Sequence, residues 1–169
     1  MEDTKILDGK KLLVVDDEPD VLEVIQDLLA NYNIDIDTAE DFETGKRLLD
    51  ANKYDIAVLD IMGVSGYELL EIANQKGVPS LMLTANALTP DNFMESLKKG
   101  AQAYIPKEKM SEIGIFLSDL LKAREGTEKP GRWFFRLESF FAEWLKEYHD
   151  LRKELEKRLG HKLDRYDVD

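Results

Sequence analysis

Short apolar runs alternate with amphipathic stretches through the first three quarters of the chain. Residues 12–15, Leu-Leu-Val-Val, are apolar at every position, as a strand covered on both faces must be. The run ends in Asp16-Asp17-Glu18-Pro19. Pro19 suits the first turn of a helix, and acids there favour its positive end. Val21, Leu22, Ile25, Leu28 and Leu29 then recur at helical spacing. Residues 34–38 alternate like a second strand, and 42–49 read as a helix. Residues 55–60 form another buried strand, 67–73 a helix and 80–84 a fourth strand. A short helix over 93–97 is closed by Gly100, residues 103–105 make a fifth strand, and 113–121 a closing helix. Five alternations at roughly 25 residues each predict an α/β fold: a (βα)5 doubly wound parallel five-stranded sheet with helices on both faces.

The period changes after residue 131. Phe134, Leu137, Phe141, Trp144, Tyr148, Leu151 and Leu155 are spaced alternately three and four apart, an a/d stripe on one helix. Trp133, Phe140, Leu145 and Leu159 widen it, and Gly160 is a stop signal. A face this broad and aromatic suits packing on a surface or in a small bundle better than a two-stranded coiled coil. One helix cannot bury it alone. It must dock on the preceding unit, pair with a second copy, or bind another protein. The polar stretch with Gly126, Pro130 and Gly131 reads as a linker. The predicted organisation is therefore 1–124, a linker over 125–131, an amphipathic helix over 132–160 and a tail over 161–169.

Charge follows the same division. The chain of 169 residues has a formal net charge of −12. Residues 1–126 hold 25 acidic and 13 basic side chains, and residues 127–169 hold 10 of each, so the whole excess lies in the first unit. That balance argues against non-specific nucleic-acid binding. The neutral second segment lacks room for a helix-turn-helix and lacks the excess Lys/Arg of a membrane-surface helix. With 0 cysteines there are no disulfides, thiolate metal sites or Cys nucleophiles. No apolar run approaches a membrane span and no signal peptide opens the chain, so a cytoplasmic protein is expected.

In doubly wound sheets the site lies outside the carboxyl ends of the strands. Those ends carry Asp16 and Asp17, Asp60, Thr84, and Lys107 just past the fifth strand. Three converging carboxylates raise each other's pKa unless a cation is present. Hard oxygen ligands with open positions suit Mg2+. A carboxylate, a divalent metal, a Lys and a hydroxyl are what a transferring phosphoryl group requires, and an Asp can itself be the nucleophile.

The motifs Val-Val-Asp16-Asp17-Glu, Val-Leu-Asp60-Ile-Met62, Leu-Thr84-Ala85 and Ala-Tyr104-Ile-Pro106-Lys107 resemble those of a response-regulator receiver domain, over about residues 10–124. The resemblance implies a flavodoxin-like receiver fold with Asp60 as phosphoacceptor. Asp16, Asp17, Asp60 and the Met62 backbone carbonyl would hold Mg2+. Lys107 would pair with Asp60 and later with the phosphoryl group, and Thr84 would move to bond the phosphoryl oxygens. Tyr104 would swing inward behind it. The Ile105–Pro106 bond would be cis, an isomer X-Pro bonds adopt at modest cost. One segment departs from the family: receivers usually have a longer loop here, with a Pro four residues after the phosphoacceptor, where this chain has Val64.

The implied function is a stand-alone response regulator in two-component signalling. It would be phosphorylated by a sensor histidine kinase or a histidine phosphotransfer protein. Output would be protein–protein contact, to a downstream target or a second copy through the C-terminal helix, with no nucleic acid and no membrane. The chain would not be an enzyme beyond its own phosphoryl transfer and dephosphorylation. The rival reading is a scaffold, with the receiver a docking platform and the helix a constitutive dimerisation element. An Mg2+-dependent phosphatase is disfavoured because Met62 stands where such hydrolases keep an acid/base. His149 superficially resembles a kinase phosphorylation box, but reads better as a surface residue.

Overall fold

The structure, a computed structural model, describes residues 4–85, 89–128, 131–147 and 149–159. Tyr148, Gly160, residues 161–169 and the side chains of Phe140, Trp144 and Leu159 lie outside that description. The aliphatic runs become β1 (Lys11–Val15), β2 (Asp35–Ala39), β3 (Ile56–Asp60), β4 (Ser80–Thr84) and β5 (Ala103–Pro106). They form one parallel sheet in the order β2-β1-β3-β4-β5. β3 and β4 are buried at every position, while edge strand β2 fully buries only Ala39. This is why the central strands read as unbroken apolar runs and β2 reads as an alternation.

Helices α1 (Pro19–Leu28), α2 (Phe42–Ala51), α3 (Gly66–Gln75), α4 (Pro90–Lys98) and α5 (Ile113–Glu125) cover the two faces. Their starts are chemically marked. Pro19 and Pro90 occupy first-turn positions. Asp41 accepts a hydrogen bond from the Thr44 amide at 2.7 Å, and Thr89 one from the Asn92 amide at 3.1 Å. The register places Val15 beside Ala39 and Leu59, Asp60 beside Leu83, and Thr84 beside Pro106. The carboxyl ends of four strands therefore finish level with one another.

The helix expected over 132–160 is broken at Leu137, and its described residues form α6 (Arg132–Arg136), α7 (Glu138–Glu147) and α8 (His149–Leu159). A straight helix of that length would extend about 40 Å, whereas nine-residue α4 offers about 13 Å. Breaking the chain lets the apolar stripe wrap around the α/β unit. Of the three fates open to the stripe, docking on that unit is the one observed: α8 packs on α4, and α6 on α5. Phe134, Leu137, Phe141, Leu151 and Leu155 are all buried, with Trp133 and Leu145 beside them.

Phe93 of α4 is the meeting point. Its ring centroid lies 4.7 Å from Phe141, 6.1 Å from Trp133 and 4.9 Å from Tyr104 of β5. Phe134 stacks on Phe141 at 5.9 Å. An ion pair sets the register: Arg136 donates from Nε and, at 3.0 Å, from its terminal nitrogen to the two carboxylate oxygens of buried Asp119. The α/β unit and the C-terminal helices thus share one core.

Phe141→Ala is expected to cost about 3 kcal/mol or more, because the residue is fully buried between Phe93 and Phe134. Urea unfolding followed by tryptophan emission should show a lower midpoint. An unchanged midpoint would mean that these helices do not dock in solution.

Candidate functional site

Each strand end delivers one chemical group. Asp16 follows β1 and is 1% exposed, Asp60 ends β3 and is 5% exposed, and Thr84 ends β4 and is buried. Lys107 opens the turn that follows β5. Its Nζ lies 2.9 Å from Asp16 Oδ2, 3.3 Å from Glu18 Oε1 and 3.6 Å from Asp60 Oδ1. One ammonium therefore spans three carboxylates. Asp16 Oδ1 also accepts the Glu18 amide at 2.9 Å, which fixes its rotamer.

The electrostatics are unbalanced. Burial first, and then the charge of Asp16, push the Asp60 carboxyl up to about 7, against the pull of Lys107. Burial also raises Asp16, opposed by the Glu18 amide and by Lys107. For Lys107, burial disfavours the charge. The hydrogen bond to Asp16 and the nearby Asp60 charge outweigh it, and its pKa rises. The amine stays a cation, and the carboxylates hold more negative charge than it can neutralise.

The carboxylate oxygens of Asp16, Asp17 and Glu18 lie within 4.8 Å of one another. Beside them a cavity of about 110 Å3 is lined by Asp17, Asp60, Met62, Gly63, Thr84 and Lys107. At about 30 Å3 per water it holds a few waters or one phosphoryl group. An all-oxygen donor set facing such a space fits a small hard divalent cation.

The shortened loop after Asp60 is folded tightly under the site. Ser65, a non-glycine residue, takes φ 53 at the start of α3. A Cβ at Gly63 would collide with the Asp17 carboxylate, and one at Gly66 with the Asp60 backbone carbonyl. Both glycines are thus required by close approach. Val64 is buried while Met62, 60% exposed, stands at the rim.

Tyr104 is fully buried and points inward. Burial raises its hydroxyl well above the ordinary value, and it shares a hydrogen bond with the Thr84 side chain. On its other side lies Phe93, edge to face. Thr84 therefore connects the carboxylate cavity to the aromatic cluster beneath the C-terminal helices.

The structure brings together Asp16, Asp17, Asp60, Thr84 and Lys107, as the strand ends predict, with Met62 at the rim and Tyr104 behind Thr84, the two residues named through the resemblance. The expected cis bond is a correction: no cis peptide occurs among the described residues, so Ile105–Pro106 is trans. Pro106, at φ −69 and ψ 142, continues the strand, and Lys107 reaches all three carboxylates from there. Two contributors escaped the sequence reading. Glu18 adds a carboxylate to Lys107, signalled only by its place after Asp16-Asp17. Phe93 has no local signal beyond its apolar face.

Metal-free stability should depend on pH through Asp60. Its folded pKa of about 7 exceeds the ordinary 3.8, so its contribution is greatest below 3.8 and is lost as pH rises towards 7. Asp60→Asn removes this loss. Without divalent cations the variant should be more stable than the unaltered chain by roughly 2 kcal/mol at pH 8, and less so at pH 5.5. Urea titrations at the two pH values measure this; an equal difference at both contradicts it.

A family model for the response regulator receiver domain matches residues 12–114. The transcriptional regulatory protein DltR of Streptococcus agalactiae is 38% identical over 101 residues, 57% of this chain and 45% of that protein. The heme response regulator HssR of Staphylococcus aureus is 36% identical over 98 residues, 56% of this chain and 43% of that protein. The chain thus spans less than half the length of these curated relatives. Among solved structures, a Francisella response regulator receiver domain matches with TM-score 0.60 at 30% identity, over 69% of this chain and 99% of that one. A CheY-like receiver domain protein from Methanospirillum hungatei matches with TM-score 0.63 at 26% identity, over 69% and 97%. With its strand order and its ring of strand-end carboxylates and lysine in place, the chain belongs to the response regulator receiver family of two-component signalling.

Proposed function

We propose that this chain acts in the cytoplasm as a stand-alone response regulator that takes a phosphoryl group onto Asp60 from a histidine kinase or phosphotransfer protein. The observation that carries the reading is the Asp60 carboxylate, buried beside Asp16, 3.6 Å from Lys107 Nζ and sharing one cavity with Thr84. An Asp60 oxygen attacks phosphorus, the bond to the donor imidazole nitrogen breaks, and the imidazole leaves with the bonding pair. Asp16, Asp17, Asp60 and the Met62 carbonyl would hold Mg2+, which would supply charge neutralisation for the transferring phosphoryl group. Lys107 holds one phosphoryl oxygen as a fixed cation. Thr84 donates its hydroxyl to another. Beyond this self-directed transfer and the later hydrolysis, the chain catalyses nothing.

Output is protein–protein contact. Thr84 bonds Tyr104, Tyr104 packs on Phe93, and Phe93 packs on Trp133 and Phe141. A Thr84 hydroxyl engaged by phosphate withdraws from Tyr104 and unsettles the docking of α6 to α8. The scaffold reading needs the apolar stripe free for a second copy, and Phe134, Phe141, Leu151 and Leu155 are covered within the chain instead.

Acetyl phosphate with Mg2+ should label Asp60, and Asp60→Asn should reduce labelling to background. Undiminished labelling of the variant would overturn the assignment. Beryllofluoride with Mg2+ should change tryptophan emission. In Phe93→Leu, labelling should persist while the emission change falls by more than about half. If Phe93→Leu responds like the unaltered chain, the output route through Phe93 is wrong.

A further inference from the structure

A cavity of about 330 Å3 lies at the opposite end of the sheet from the carboxylates. It sits where the C-terminal helices meet α4, α5 and the turns that lead into β4 and β5. Leu97, Leu120, Trp133 and Leu155 give it apolar walls. Arg124 of α5, Arg132 of α6 and Arg158 of α8 also line it. This size, with apolar walls and a few convergent polar groups, is within the range of small-ligand sites, about 300–1,000 Å3.

The polar groups are donors in excess. The Asp119 carboxylate is taken on both oxygens by Arg136. Gln102, which also lines the space, accepts the Ser80 amide through its oxygen at 2.8 Å, so its amide nitrogen is not used in that bond. Arg158 pairs with Glu154 at 3.3 Å and donates to the Lys98 carbonyl at 3.2 Å. Arg124 and Arg132 are exposed, and neither forms an ion pair with a described side chain. In a chain of net charge −12, three arginines line this one apolar-walled cavity, two of them outside any described ion pair, and they make it a local positive site. An acidic ligand repelled elsewhere on the molecule is attracted here. The guanidinium fork matches carboxylate and phosphate oxygens.

We propose that this cavity binds a small organic anion, a carboxylate or phosphate monoester carried on an apolar body, and that the bound anion ties α6 and α8 to α4 and α5. The Arg residues come from both sides of the joint, so a ligand that bridges them binds only the docked arrangement. It therefore stabilises that arrangement by mass action. Ligand binding here opposes release of the C-terminal helices. The site itself stands apart from Asp60, so its failure would leave the phosphoryl reading untouched.

Decanoate, decyl phosphate and decanol, each below its aggregation threshold, are titrated into the unaltered full chain by calorimetry, and thermal midpoints are recorded in parallel. At least one anion should bind saturably at one site and raise the midpoint, with decanol weaker by about tenfold or more. Which anion binds distinguishes carboxylate from phosphate recognition. The double variant Arg124→Ala/Arg132→Ala should lose about tenfold or more in anion affinity and keep its decanol affinity. No saturable binding of either anion overturns the proposal. So does equal binding of decanol, or unchanged anion affinity in the double variant. If that variant does not fold, the anion-to-decanol ratio in the unaltered chain decides.

Discussion

Two carboxylates, Asp16 and Asp60, are buried within reach of one another, and the fold is organised to tolerate them. Neither could stay ionised in an apolar interior without a cation beside it. Lys107 supplies that cation, at 2.9 Å and 3.6 Å, from the turn after β5, a strand two positions away from β3 in the sheet. It falls short of neutrality: Asp17 and Glu18 crowd the same end, and the Asp60 carboxyl is left titrating near 7. A site built this way is poised to gain from added positive charge and to take up a phosphoryl group where neighbouring cations can absorb it. The strand order follows from that need, because only level strand ends from β1, β3, β4 and β5 bring these side chains together.

The close packing around the site has the same origin. Gly63 and Gly66 let the loop after Asp60 pass against Asp17 and the Asp60 carbonyl, and Ser65 accepts a left-handed backbone to start α3 in the space left. A loop of this kind has few ways to move. On the proposed function, adjustment at the site would fall on the Thr84 hydroxyl and Tyr104. Tyr104 is held between that hydroxyl and Phe93, so polar chemistry on one side meets aromatic packing on the other.

The sheet was legible because β1, β3 and β4 are covered on both faces, and only an unbroken apolar run survives there. The site was legible because its members stand at the ends of those runs. Pattern alone said less about the C-terminal segment. The three-four spacing from Phe134 to Leu155 records which side is apolar, and it does so equally well for a straight helix and for one broken on a packed surface. The break at Leu137 lets α6 lie on α5 while α8 lies on α4, a demand of the packed surface that local sequence does not contain. Phe93 was hidden for the same reason: its partners lie up to 48 positions away. The trans Ile105–Pro106 bond shows the limit of resemblance, since Lys107 meets its three carboxylates from an extended Pro106 without the other isomer.

Apolar burial holds the C-terminal helices down, but it is non-directional and would accept many arrangements. The Asp119–Arg136 pair removes that freedom. Asp119 sits in the middle of α5, is 3% exposed, and faces α6, which packs on α5 and carries Arg136. While docked, both its oxygens are occupied by Arg136. Fully undocked, it would be hydrated on the α5 surface. A partly lifted segment that kept Asp119 dry yet withdrew Arg136 would leave a buried charge alone, at a cost of about 3–5 kcal/mol. Intermediate positions are disfavoured, and docking becomes a choice between two states. On the proposed function, a hydroxyl's movement at Thr84 would bias such a choice, where it could not drive a gradual displacement of an aromatic core.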